Sequence, residues 1–208
     1  MGGSRAPGGV LGVVRRAVPR ARVGQASGLA RRILQAMIVL GIDPGLANTG
    51  YGVVARVGGQ FAALDGGVIE TSTGLPIEHR LASIAEQMRA ILGEHECAAV
   101  AIEELYFGQN VRTAFAVGHA RGVTMLVAGE HGIPCFSYTP QKIKSSVCGH
   151  GRAEKDQVAR MVQTLLSLER VPASDHASDA LAVALCHLNG APLADALAKA
   201  TQLTGAPA

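Results

Sequence analysis

The sequence predicts an α/β fold, a mixed five-stranded sheet flanked by helices on both faces. Three observations predict it. Between residues 38 and 70, three apolar stretches separated by glycine-rich turns read as a meander of strands. From residue 77 onward, helical periodicity alternates with short apolar runs, as in βαβ units. The 208 residues, 48% of them hydrophobic, are enough for the core of one such domain.

The elements follow in order. IVLGID (38–43) is a short aliphatic run that reads as a buried strand, with partners at 50–57 and 61–70. Turns lie at Gly45 to Gly50 and at Val57-Gly58-Gly59. A helix over 77–92 carries Leu81, Ile84, Ala85, Met88, Ile91 and Leu92 on one stripe. AAVAIEEL (98–105) is another apolar run ending in acid, and a long helix follows at 110–130. IPCFSY (133–138) is the fifth strand, after which Thr139-Pro140 supplies an N-cap and a proline at the first helical position. Further helices are predicted at 153–168 and 176–199, the last with Leu181, Ala184, Leu185 and Leu188 at helical spacing.

Residues 1–36 stand apart, with seven arginines, no lysine and no acid. Without them 12 basic and 16 acidic residues remain, so the net charge of +3 becomes −4. The basic balance is therefore poor evidence for nucleic-acid binding by the domain itself. The segment reads as an upstream start with Met37 the true one, as a disordered basic arm, or as an organellar presequence, and the first is favoured. Residues 37–190 form the domain, and 191–208 the end of the last helix and a tail.

Composition narrows the function classes. Aromatic residues make up 3% with no Trp, which argues against a base-stacking platform for single strands. Cys97, Cys135, Cys148 and Cys186 are widely spaced with no Cys-x-x-Cys, so neither a zinc module nor a disulfide framework is indicated, which suits a reducing, cytoplasmic setting. No apolar stretch approaches membrane-spanning length.

The acids carry the chemistry. Asp43 and Glu103 each end an apolar strand, where a carboxylate loses solvation and needs a cation or donors to compensate it. Two such anions side by side raise each other's pKa unless a metal neutralises them, and oxygen donors suit Mg²⁺ or Mn²⁺. His176 and Asp179 are three residues apart at the start of the last helix and share a face. The plain alternative is a capped first turn, with Ser174 or Asp175 as the cap. Set beside Asp43 and Glu103, the pair reads as the third side of a metal site.

Five motifs then recur in order: GIDPG with Thr49-Gly50-x-Gly52, AIEELYFGQN (101–110), ARG (120–122), VCGHGRAEKDQV (147–158) and HASDALAVALCH (176–187). Over Met37 to about Asn189 the chain resembles the RuvC family of bacterial Holliday-junction resolvases. The resemblance implies an RNase H-like fold and a homodimer that nicks two strands of a four-way DNA junction symmetrically. It also implies two divalent ions per subunit, Mg²⁺ or Mn²⁺, and work alongside the RuvA-RuvB branch-migration motor. Asp43, Glu103 and Asp179 match the family's acidic residues. His176 falls where many members carry Asp and some His, so it is either a ligand or a base for the attacking water. Asp175 is the alternative at that position, although the spacing from Asp179 favours His176. Products with 5′-phosphate and 3′-hydroxyl ends are implied.

The same resemblance assigns Lys144 and Lys155 to the scissile phosphodiester, with Lys142 and Arg152 beside them. Lysines also solvate helix faces, so for Lys142 both roles stay open. Tyr106 matches an aromatic position acting on bases at the crossover, with Phe107 next to it; both can equally pack on a neighbouring helix. Ala114, Gly118 and Gly122 recur every four residues, flanked by Phe115, Val123 and Leu126, which invites close packing of a second subunit or of the sheet. Two other classes compete. GIDPG-x-x-x-TG is also similar to the phosphate turn of actin-like ATPases and sugar kinases, but roughly 170 residues cannot hold the two domains these need. A junction-binding module without catalysis is disfavoured by the acids.

Overall fold

The computed structural model describes residues 36–104 and 111–204, with side chains described over 36–104 and 114–190. Five strands form one sheet: β1 (Met37–Asp43), β2 (Asn48–Val57), β3 (Gln60–Glu70), β4 (Ala99–Glu103) and β5 (Cys135–Tyr138). The spatial order is β3-β2-β1-β4-β5. The first three strands pair antiparallel, whereas β1–β4 and β4–β5 pair parallel, giving the mixed sheet expected from a meander followed by βαβ units. The described helices are α1 (Ile77–Glu94), α2 (Val111–Glu130), α3 (Pro140–Cys148), α4 (Lys155–Leu165) and α5 (Asp175–Thr204).

Alternation along the strands divides the core into two layers. On one face Val39, Val54, Ala99 and Ala101 meet α3, α4 and α5 through Ile143, Val147, Val158, Val162, Leu181 and Leu185. On the other, Leu40, Ile42, Tyr51, Val53, Val100 and Ile102 meet α1 and α2 through Ile84, Met88, Ile91, Ala120 and Val127. Helices therefore cover both faces. Among the described residues no helix is long and apolar enough to cross a membrane.

Local signals place the ends of most elements. The Thr139 side chain accepts from the Lys142 amide at 3.2 Å, and Pro140 begins α3. Gly149 closes α3 at φ 83°, a left-handed conformation that costs glycine nothing. β5 starts at Cys135 rather than 133, because the Ile133 amide is taken by the Ala128 carbonyl at the end of α2. α5 extends to Thr204, beyond the 199 suggested by periodicity. The Arg-rich residues 1–35 lie outside the described residues.

Candidate active site

β1 and β4 run parallel with Ile42 opposite Ile102, so the next residues, Asp43 and Glu103, end adjacent strands side by side. Parity then sets their direction. Positions 39, 41 and 43, like 99, 101 and 103, face the α5 layer, and both acids emerge on that side.

Glycines bring α5 to them. A β-carbon at Gly41 would fall on the Ala180 carbonyl oxygen, and one at Gly50 on the His176 carbonyl oxygen. At Gly52 it would meet the Leu181 amide nitrogen at 2.9 Å. All three lie within strands β1 and β2, so their role is close backbone approach; of the three, the sequence places only Gly50 at a turn, the one running from Gly45. Arg56 on β2 adds a tie, donating to the Leu188 carbonyl at 3.1 Å. The first turn of α5 is thereby pressed onto the end of β1. His176 Nδ1 lies 2.7 Å from Asp43 Oδ2, and Asp179 follows one turn later on the same side.

The electrostatics are those of a site short of positive charge. Burial pushes the Glu103 carboxyl up to about 7, and the neighbouring charges of Asp43 and Asp179 push the same way. Asp179 is also raised, chiefly by burial, against the opposing pull of Lys155, whose Nζ lies 3.6 Å from Asp179 Oδ2. His176 is raised, first by its hydrogen bond to Asp43. The four groups singled out in the sequence are thus brought together.

The basic residues divide. Lys144 and Lys155 line a small pocket with Glu103 and Asp179, floored by Ile143, Val158 and Ala182. α3, which carries Lys144, is docked on α5 by Asn189, donating to the Ser146 carbonyl at 3.3 Å. Lys142 and Arg152 are exposed and do not line that pocket. Tyr106 and Phe107 lie outside the described residues. Asp65, Glu94 and His95 form a separate group with ligand atoms all within 4.8 Å of one another, sharing no residue with the acidic site.

Sequence reasoning singled out the ARG motif but gave Arg121 no role. Its guanidinium donates to the Glu103 carbonyl at 3.0 Å and to Ser137 Oγ, fixing the end of β4 from α2. Tyr138 and His187 were missed outright; their side chains are joined at 2.8 Å beneath β5. These contacts span 18 and 49 residues, and only a cationic or polar residue amid an apolar stretch hinted at them. The outer face of α2 carries Phe115, Met125 and Leu126, which are 66%, 45% and 59% exposed. On that face a β-carbon at Gly122 would meet open space, so the sheet is not what requires the small residue there. Val123 instead packs toward the core.

Comparison with known proteins places the chain in a family. A family model described as "Crossover junction endodeoxyribonuclease RuvC" matches residues 39–187. A protein of that name from Pelotomaculum thermopropionicum is 48% identical over 151 residues, 73% of this chain and 92% of its own. Its counterpart from Alkaliphilus oremlandii is 50% identical over the same shares. The structure of Thermus thermophilus RuvC in complex with a Holliday junction substrate superposes with a TM-score of 0.74 at 38% identity, covering 76% of this chain and 96% of that one. The fold is accordingly the RNase H-like sheet of these proteins, and the chain belongs to the RuvC family.

Proposed function

We propose that this protein is a metal-dependent endodeoxyribonuclease that resolves four-way Holliday junctions during homologous recombination and DNA repair. The observation that carries the reading is the meeting of Asp43, Glu103, His176 and Asp179 at the ends of β1 and β4 and the start of α5, in a chain of the RuvC family. The donor set fits a divalent cation. A carboxyl whose pKa is raised to about 7, chiefly by burial and further by two neighbouring acids, is the condition that bound positive charge relieves. Oxygen donors from the three acids, with one imidazole, suit Mg²⁺ or Mn²⁺, and we assign two such ions to the four residues. When bound, they supply activation of water and neutralisation of charge developing on the phosphate.

The chain's own groups do the rest. Asp43 accepts from His176 and so fixes the imidazole; with Nδ1 engaged, Nε2 is left to hold a ligand or take a proton from water. Lys155 and Lys144, in the pocket beside Glu103 and Asp179, balance the phosphodiester's charge. Lys142 and Arg152, exposed on the neighbouring helix and turn, add contacts to the backbone farther along. The ends produced are 5′-phosphate and 3′-hydroxyl.

Paired nicks require two such sites, and the uncovered face of α2 supports a homodimer. Phe115, Met125 and Leu126 beside Gly122 give an apolar, closely approachable surface. Family membership supports action in the cytoplasm with the RuvA-RuvB motor. The actin-like ATPase reading has no comparable support, because acids from β4 and α5 converge on Asp43 and the relatives carry nuclease names. The test is nicking of a synthetic immobile junction against linear duplex, with Mg²⁺ and with Mn²⁺. Paired, junction-selective nicks are expected; equal cutting of both DNAs would contradict the reading.

A further inference from the structure

A second cleft, of about 470 Å³, opens beside the acidic site and shares His176 with it. Its walls come from the β1–β2 connection (Gly45, Leu46, Ala47, Asn48), from α2, and from Arg80 on α1. Among the described residues no acid lines it, and Arg80 is the only permanently charged group among them that does. In a domain of net −4, an arginine facing an acid-free cleft is out of the ordinary. Among the described residues Arg80 meets no carboxylate; its Nε donates to Thr71 Oγ1 at 2.9 Å. Thr71 is itself fixed, donating from Oγ1 to the Leu46 carbonyl at 2.6 Å and from its amide to the Ala47 carbonyl at 2.9 Å. The guanidinium is held by its Nε edge on Thr71, itself tied to the loop that follows Asp43, which leaves its terminal nitrogens for two oxygens of an anion such as a phosphate.

We propose that this cleft seats a backbone phosphate of the cleaved strand, one next to the scissile linkage, and that Arg80 is the residue that binds it. This rests on the nuclease reading. The Lys144/Lys155 pocket includes Glu103 and Asp179 of the acidic quartet, and the Arg80 cleft includes His176. A strand crossing from one to the other is held on both sides of the reacting phosphate, which fixes its register without reading a base.

The test uses the full chain and an immobile four-way junction bearing single neutral methylphosphonate linkages at successive positions around the cleavage point. Binding is measured as a function of salt, and nicking separately. Arg80→Gln is expected to weaken binding about tenfold and to reduce the salt slope by about one. One neutral linkage adjacent to the cleavage point costs wild type about the same tenfold and costs Arg80→Gln nothing further. Penalties that add at every linkage would overturn the assignment. Should Arg80→Gln fail to fold, Thr71→Val keeps the charge and removes its anchor. It is expected to weaken binding about threefold, with the loss confined to that linkage. A loss spread evenly over all linkages would overturn the proposal. Wild type that binds the junction yet never nicks it would contradict the nuclease reading, while the additivity pattern still decides Arg80.

Discussion

The two faces of the sheet are made by the same strands and differ in the size of what they carry. Toward α5 the strands present Gly41, Gly50, Gly52, Ala99 and Ala101; toward α1 and α2 they present Leu40, Ile42, Tyr51, Val100 and Ile102. On the small-residue face helix backbone rests on strand backbone, so the placing of His176 beside Asp43 is set by main-chain contact. On the large-residue face side chains hold the helices off, and α2 keeps one apolar side uncovered. α2 and α5 look alike as apolar sequences, yet residues 180–188 of α5 are buried throughout whereas α2 is covered on one side. In the proposed function, catalytic geometry belongs to the tight face and assembly to the open one.

The sharpest way to break this comparison is to damage each face by a similar amount. Gly41→Val drives a side chain into Ala180 and Ala184 and is expected to cost about 3 kcal/mol or more. Leu40→Ala, one residue away on the other face, leaves a cavity at a similar cost of about 3 kcal/mol. Urea titration should show comparable losses, with nicking per folded molecule abolished only by Gly41→Val. Equal catalytic losses would remove the distinction.

Acidity probes the tight face next. Without a cation, Glu103 keeps until about pH 7 a proton that the unfolded chain releases near 4.5. The folded state binds more protons across that interval and loses stability as pH rises through it, by at most about 3 kcal/mol. His176 acts in the same direction: the stability from its raised pKa is complete below 6.5 and is lost as pH climbs past the folded value. Divalent cations compete with these protons, so their stabilisation should grow from about pH 5 to about pH 8. Thermal denaturation with Mg²⁺ and with chelator checks this; metal-free stability that rises over the range would contradict it.

The open face should respond least in stability and most in assembly. Leu126→Asp changes an exposed side chain and is expected to alter folding stability by less than about 0.5 kcal/mol. Sedimentation should nevertheless shift from dimer to monomer. An unchanged mass would separate α2 from the subunit interface.

Much of this was legible because its signals are local. A carboxylate closing an apolar run marked Asp43 and Glu103, and a three-residue spacing paired His176 with Asp179. Gly41 and Gly52 were legible as strand residues and Gly50 as a turn, but the close approach all three permit was not, since only the packed helix reveals what a β-carbon would strike. Arg121 and Arg80 were opaque for a related reason. Their partners, the Glu103 carbonyl and Thr71, are fixed by how α2 and α1 settle on the sheet.

The central claim is that the quartet around Asp43 cuts DNA while other surfaces hold it. Asp43→Asn measures this most directly, in a nicking and binding assay on an immobile four-way junction with Mg²⁺. The account predicts that the variant binds the junction as wild type does and makes no nicks. Cutting by Asp43→Asn at the wild-type rate would contradict it.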